Sequence, residues 1–224
     1  DAPSFDGIGS RRNDEWLARW ILDPKHLRPS AQMPKIFNGE PAKANAEAAA
    51  AFLSSLKNES AKLPENEPTP KQSASGKKLF ATLHCTACHN APDNTKVDAS
   101  KISLKEVRAK FAPGALVDFL KQPDLHYAWI RMPTFKLSDE QREQLAAYLI
   151  SNSDKAAENP VPANAKQIEL GKKLVQISGC LNCHASKLEN QFSTKTLAQI
   201  SDWNAGCLAE KHVANSKAPQ FNFS

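Results

Sequence analysis

Four of the five cysteines in this chain of 224 residues fall in two pairs of identical spacing, and a histidine follows each pair. Residues 85–89 read Cys-Thr-Ala-Cys-His, and residues 180–184 read Cys-Leu-Asn-Cys-His. This C-x-x-C-H spacing suits covalent attachment of haem. Two thiols about one helical turn apart can add to the two vinyl groups on one porphyrin edge, and the adjoining imidazole then swings under the ring to reach the iron. Cys85, Cys88, Cys180 and Cys183 are the expected attachment points, with His89 and His184 as proximal ligands. A Cys₄ zinc site would need the two pairs far closer than the 95 residues between them. A redox dithiol leaves both histidines unexplained. The expected cofactor is haem c with its iron, in at least two copies.

The surrounding residues must place these groups. Gly76-Lys-Lys-Leu79 precedes the first motif and Gly171-Lys-Lys-Leu174 the second, each glycine nine residues before its first cysteine. A repeat of this length is a domain duplication rather than a solenoid. Each copy is expected to open with a short amphipathic helix whose Leu79 and Phe80, or Leu174 and Val175, face a core. Downstream of the first motif come Met132-Pro133 and then Ser138-Asp-Glu-Gln141, a capping box for a helix carrying Leu145, Ala146, Tyr148 and Leu149. Over about residues 73–152 this order resembles class I cytochrome c. The resemblance implies an all-α fold of tandem helical domains joined by Pro-rich and polar linkers, and it implies His89 and Met132 as an axial pair. A thioether ligand favours ferrous iron and raises the potential.

The two ends of the chain carry partial copies of the same pattern. Residues 1–56 look like the second half of such a domain: Met33-Pro34 aligns with Met132-Pro133, and Pro41 opens an Ala-rich helix ending near Leu56. No haem motif precedes Met33 in the sequence, and Asp1 could be a mature end left after cleavage. Residues 164–224 hold a haem motif but stop where a closing helix is expected. Between these lie the linkers 57–72 and 153–163 and the complete domain 73–152. Three arrangements fit. The chain could be a segment of a longer multihaem protein. Residues 164–224 and 1–56 could join as a permuted domain, with Met33 serving the haem on Cys180 and Cys183. The first half-domain could also be degenerate and merely pack on its neighbour.

The sixth ligand of the second haem is open on sequence alone, because Ala218 stands where Met132 is expected. His212 is the first candidate; Lys217, Cys207 and Met33 are the others, as is an open position. An open position would suit a dihaem enzyme resembling peroxidases. The reading preferred here is electron transfer through two or more haems, as a cytochrome module of a larger redox assembly. Expected partners are a redox donor and acceptor, other cytochrome subunits or a membrane complex, in the periplasm or elsewhere outside the cytoplasm. No run of about 18 apolar residues marks a membrane span. The net charge of +5 is spread along the chain. It reads as a solvated surface rather than a nucleic-acid site.

Overall fold

The computed structural model describes residues 2–58, 67–127, 130–154, 161, 163–192 and 196–199. Eight α-helices occur among them: α1 Asp14–Leu22, α2 Pro24–Leu27, α3 Ala42–Ser55, α4 Pro70–Thr82, α5 Val107–Lys110, α6 Ala115–Lys121, α7 Asp139–Asn152 and α8 Ala165–Ile177. A parallel pair of two-residue strands, β1 His89–Asn90 and β2 Ile102–Ser103, is the one small sheet described. The all-α expectation holds.

Local chemistry sets the helix starts. Thr69 and Gln72 form a capping box at α4, with Pro70 at the first helical turn. Ser138 and Gln141 do the same at α7. At α8 the Asn164 side chain accepts from the Gln167 backbone N–H. Helix α4 begins inside the stretch 57–72 that the sequence suggested was linker, because Thr69-Pro70 is itself a strong start signal.

Two helix crossings organise the molecule, and they are near copies. Helix α4 packs on α7, and α8 packs on α3. At each crossing a glycine lies against the backbone of the opposite helix. A Cβ on Gly76 would sit 1.9 Å from the Gln144 carbonyl oxygen and 2.8 Å from Tyr148 Cβ. A Cβ on Gly171 would sit 1.9 Å from the Ala48 carbonyl oxygen and 2.8 Å from Phe52 Cβ. A mid-helix glycine costs about 1 kcal/mol relative to alanine. The close approach it permits offsets that by burying Phe80 and Tyr148 in one pair, and Val175 and Phe52 in the other.

The long alanine-rich helix α3 therefore takes the place on α8 that α7 takes on α4. The chain entering at residue 2 follows the same course. Ala2 N–H donates to the Cys183 carbonyl as Ile102 N–H does to Cys88, and Phe5 N–H donates to Ala185 as Leu104 N–H does to Asn90. Pro24 and Pro123, 99 residues apart, are both fully buried, and so to within a few per cent are Leu17 and Leu116.

The two halves meet along residues 11–19 and 106–112. Arg12 and Phe111 form an antiparallel bridge. Asn13 N–H donates to Lys110, and Ala112 N–H donates to Arg11. The Asn13 amide lies within 2.9–3.2 Å of the Arg108, Ala109 and Phe111 carbonyls. Arg19 binds Glu106 through both nitrogens at 3.0 Å. Asn13→Ala removes the donor from buried carbonyls, so a loss of about 1–3 kcal/mol is expected. An unchanged denaturation midpoint in that variant would show that water replaces the amide.

Candidate functional site

Each C-x-x-C-H motif begins where a helix has just ended. The residue before the first cysteine is left-handed in both cases: His84 at φ 55° and Gly179 at φ 85°. That conformation turns the chain out of α4 or α8 and into a 3₁₀ turn over Cys85–Ala87 or Cys180–Asn182. Gly179 does this without steric cost, whereas His84 adopts a conformation uncommon for a residue with a side chain. Nothing in the residue type of His84 signals this role. Its equivalence to Gly179, 95 residues on, was the available signal.

All four motif cysteines are free thiols, Cys85 and Cys180 half-buried and Cys88 and Cys183 exposed. Burial pushes the Cys85 thiol up, and pushes Cys180 to about 11. Both are thus held as neutral thiols. No group of three or more His, Cys, Asp or Glu side chains placed to hold a metal ion occurs among the described residues.

The histidines carry the clearest signature. His184 Nδ1 lies 2.8 Å from the Pro3 carbonyl oxygen. A carbonyl only accepts, so Nδ1 carries the proton and Nε2 keeps its lone pair. That is the tautomer and orientation a metal-binding imidazole needs. Phe5 stacks on the ring at 4.4 Å between centroids. Burial lowers the pKa of His184, against a smaller opposite effect of the Pro3 carbonyl, which keeps the ring neutral. Burial also lowers His89, with Lys110 and Arg28 adding to the effect and the Ile102 carbonyl opposing it. His89 Nδ1 is buried and has no hydrogen-bond partner among the described residues.

The sulfur ligands expected from sequence fall into the same two groups. Met132 and Cys85 pack against one apolar cluster, built on Phe80, Leu116, Leu145 and Tyr148. Met33, Cys180 and Leu181 pack against the other, built on Leu17, Phe52, Leu53 and Val175. Trp20 Nε1 lies 3.1 Å from Met33 Sδ and holds that sulfur in place. Trp20 stacks in turn on Trp16, at 5.1 Å between centroids. The residues present thus fit haem at both motifs: a half-buried neutral thiol, an imidazole kept neutral by burial, with Nε2 left free at His184, and a thioether packed on the same apolar cluster. His212, Lys217, Ala218 and Cys207 lie outside the described residues.

One sequence expectation changes. The positive charge is not all solvated, because Arg11, Arg12 and Arg142 are 8%, 6% and 9% exposed. His126 Nδ1 lies 3.1 Å from Arg11 Nη1. The Arg11–His126 and Arg12–Tyr127 contacts each span 115 residues, so neither shows in residue spacing. A cavity of about 350 Å³ opens between α1 and α3, rimmed by Glu15, Arg19, Lys43 and Glu47. It contains no residue of either motif.

The stretch that carries Cys85, Cys88, His89 and Met132 lies within the part of the chain matched by a family model, and that match supports a class I c-type cytochrome domain there, with haem-based electron transfer as its chemistry. Residues 71–149 match the family described as cytochrome C oxidase, cbb3-type, subunit III. No match was found among curated proteins or among solved structures.

Proposed function

We propose that the chain is an electron carrier with two covalently bound haems, one with His89 and Met132 as axial ligands and one with His184 and Met33. The observation that carries the second pair is the hydrogen bond from His184 to Pro3, in the same half that packs Met33 with Cys180. Bound haem supplies a one-electron ferric–ferrous couple. The chain's part is to hold it. Cys85 and Cys88, and Cys180 and Cys183, fix one porphyrin edge. The Pro3 carbonyl orients His184. Trp20 fixes the Met33 sulfur, and the two apolar clusters keep water from the ligands. Two His/Met sites would favour ferrous iron and suit a relay between redox proteins.

The partners fitting this reading are a donor and an acceptor outside the cytoplasm. The matched family's description names a subunit of cytochrome c oxidase, so a membrane oxidase is the proposed partner class. No helix among the described residues is long and apolar enough to cross a membrane.

Intact mass under denaturing conditions is the direct test, because thioether-linked haem survives denaturation and adds roughly 0.6 kDa per group. An excess of two haems over the polypeptide is expected, falling to one in the double variant Cys180→Ser, Cys183→Ser. An excess of three or more would give Met33 another haem and sink its pairing with His184. No excess would sink the whole reading. A ferric spectrum with one high-spin haem that binds cyanide would instead favour a peroxidase-like enzyme.

A further inference from the structure

Arg11 is buried at the seam between the two halves and has no carboxylate within 4.0 Å among the described residues. A buried guanidinium is costly unless its donors are bonded. Nη2 of Arg11 donates to the Ser4 carbonyl at 2.7 Å, and Nη1 donates to the Asp6 carbonyl at 2.7 Å. Nη1 also lies 3.1 Å from His126 Nδ1 in the other half; an arginine only donates, so that nitrogen accepts. Nε is without a partner among the described residues. Burial, then Arg11 and Arg12, lower the pKa of His126, which keeps its ring neutral.

The two carbonyls bound by this fork flank Phe5. The Phe5 ring stacks on His184 at 4.4 Å, and Pro3, next to Ser4, supplies the carbonyl that accepts from His184 Nδ1 at 2.8 Å. The same short run donates to the second motif, from Ala2 N–H to the Cys183 carbonyl and from Phe5 N–H to the Ala185 carbonyl. Residues 2–6 are therefore held through their N–H groups by the motif and through their carbonyls by Arg11.

The first motif supplies a comparison within the chain. The seam is approximately two-fold: Arg12 bridges Phe111, its counterpart 99 residues on, and Met33 and Met132 share that offset. By the same offset Ile102 stands for Pro3, Leu104 for Phe5 and Lys110 for Arg11. Lysine has a point charge and no fork. The Lys110 ammonium lies instead 5.3 Å from the Trp16 ring centroid and 5.6 Å from that of Phe111. His89 Nδ1 has no hydrogen-bond partner among the described residues. Where the fork is missing, the bond to the imidazole is missing too.

We propose that Arg11 is the positioning residue for His184: by binding the Ser4 and Asp6 carbonyls it fixes the Pro3 carbonyl and the Phe5 ring against the imidazole, and makes His184 a more basic ligand than His89. This rests on the haem reading above. Donation from Nδ1 to a held carbonyl sets the ring orientation and raises the basicity of Nε2. A more basic imidazole favours ferric iron, so Arg11 lowers the potential of the haem attached at Cys180 and Cys183. Nothing covalent is involved.

The test uses the haem-loaded chain and Arg11→Lys, which keeps the charge and loses the fork. Intact mass is read first; a chain without haem would be a failure of the haem reading rather than of this placement. The double variant Cys180→Ser, Cys183→Ser identifies the signals of the first haem. NMR of the ferrous protein then follows exchange of the two imidazole Nδ1–H protons. In the unmodified protein that of His184 is expected to exchange about tenfold more slowly than that of His89, in keeping with one additional hydrogen bond. Arg11→Lys is expected to bring the two rates together and, in a redox titration, to raise the potential of the second haem alone. A purely structural role would lower Tm while leaving the rate ratio and the potential in place, and that result overturns the proposal. Equal rates in the unmodified protein overturn it as well, and that measurement stands even if Arg11→Lys does not fold.

Discussion

Gly171→Val is expected to destabilise the protein about as much as Gly76→Val, by roughly 3 kcal/mol or more in each case. Overpacking a core costs typically 1–3 kcal/mol when side chains can move aside. Here the obstacle is backbone: the first added carbon would lie 1.9 Å from the Ala48 carbonyl oxygen, or from that of Gln144. No rotamer change relieves that contact, so the helices must separate, which places the cost at or above the top of the range. For a chain of this size each kcal/mol lowers Tm by roughly 2–4 °C, so a fall near 10 °C is expected. The pair of variants is more informative than either alone. Gly76→Val tests α4 on α7, neighbours within one family-like domain. Gly171→Val tests α8 on α3, which are joined only by a long stretch of chain. Calorimetry showing loss in the first variant and none in the second would mean that α3 does not close on α8. Gly→Ala at the same positions should lie between, since its single methyl meets the same oxygen.

Much of this was legible in residues alone, wherever the controlling chemistry is local. Both haem motifs, the repeated Gly-Lys-Lys-Leu and the Ser138–Gln141 capping box are short patterns whose meaning depends on neighbours a few residues away. The start of α3 near Pro41 and its end near Leu56 were legible for the same reason. The pairing of α3 with α8 was not. Residues 42–55 and 165–177 are far apart in sequence. Nothing in the spacing of either segment shows that Gly171 lies against Ala48. The buried Arg12 was hidden for a related reason. A cation is buried or solvated according to what distant segments bring to it, and here those are Phe111 and Tyr127. His84 shows a third kind of gap. Its left-handed backbone is imposed by the turn from α4 into the motif, against its own preference.

On the two-haem reading proposed above, the methionines give the sharpest separation between the haems. Met132→Ala is expected to lower the potential of one haem, and Met33→Ala the other, each by on the order of 0.1–0.3 V out of the roughly 0.8 V that axial ligands span. The direction follows from the thioether, a soft neutral donor that favours ferrous iron over ferric. Loss of the sulfur leaves His89 or His184 as the remaining protein ligand, and the ferric form gains. Trp20 offers a control within the same site. Its indole N–H lies 3.1 Å from Met33 Sδ, drawing on the lone pair that iron would share. Trp20→Phe keeps the packing against Trp16 but removes that N–H, so a smaller change confined to one haem is expected. A spectroelectrochemical titration resolves two waves and shows which one moves. If Met33→Ala and Trp20→Phe leave both waves in place while Met132→Ala shifts one, then Met33 binds neither haem, and the kinship between residues 1–56 and the second motif is a matter of packing alone. If each methionine moves its own wave, the half-domain that begins the chain completes the haem site near its end, and the two-fold seam through Arg12 and Phe111 sets the distance between the two irons.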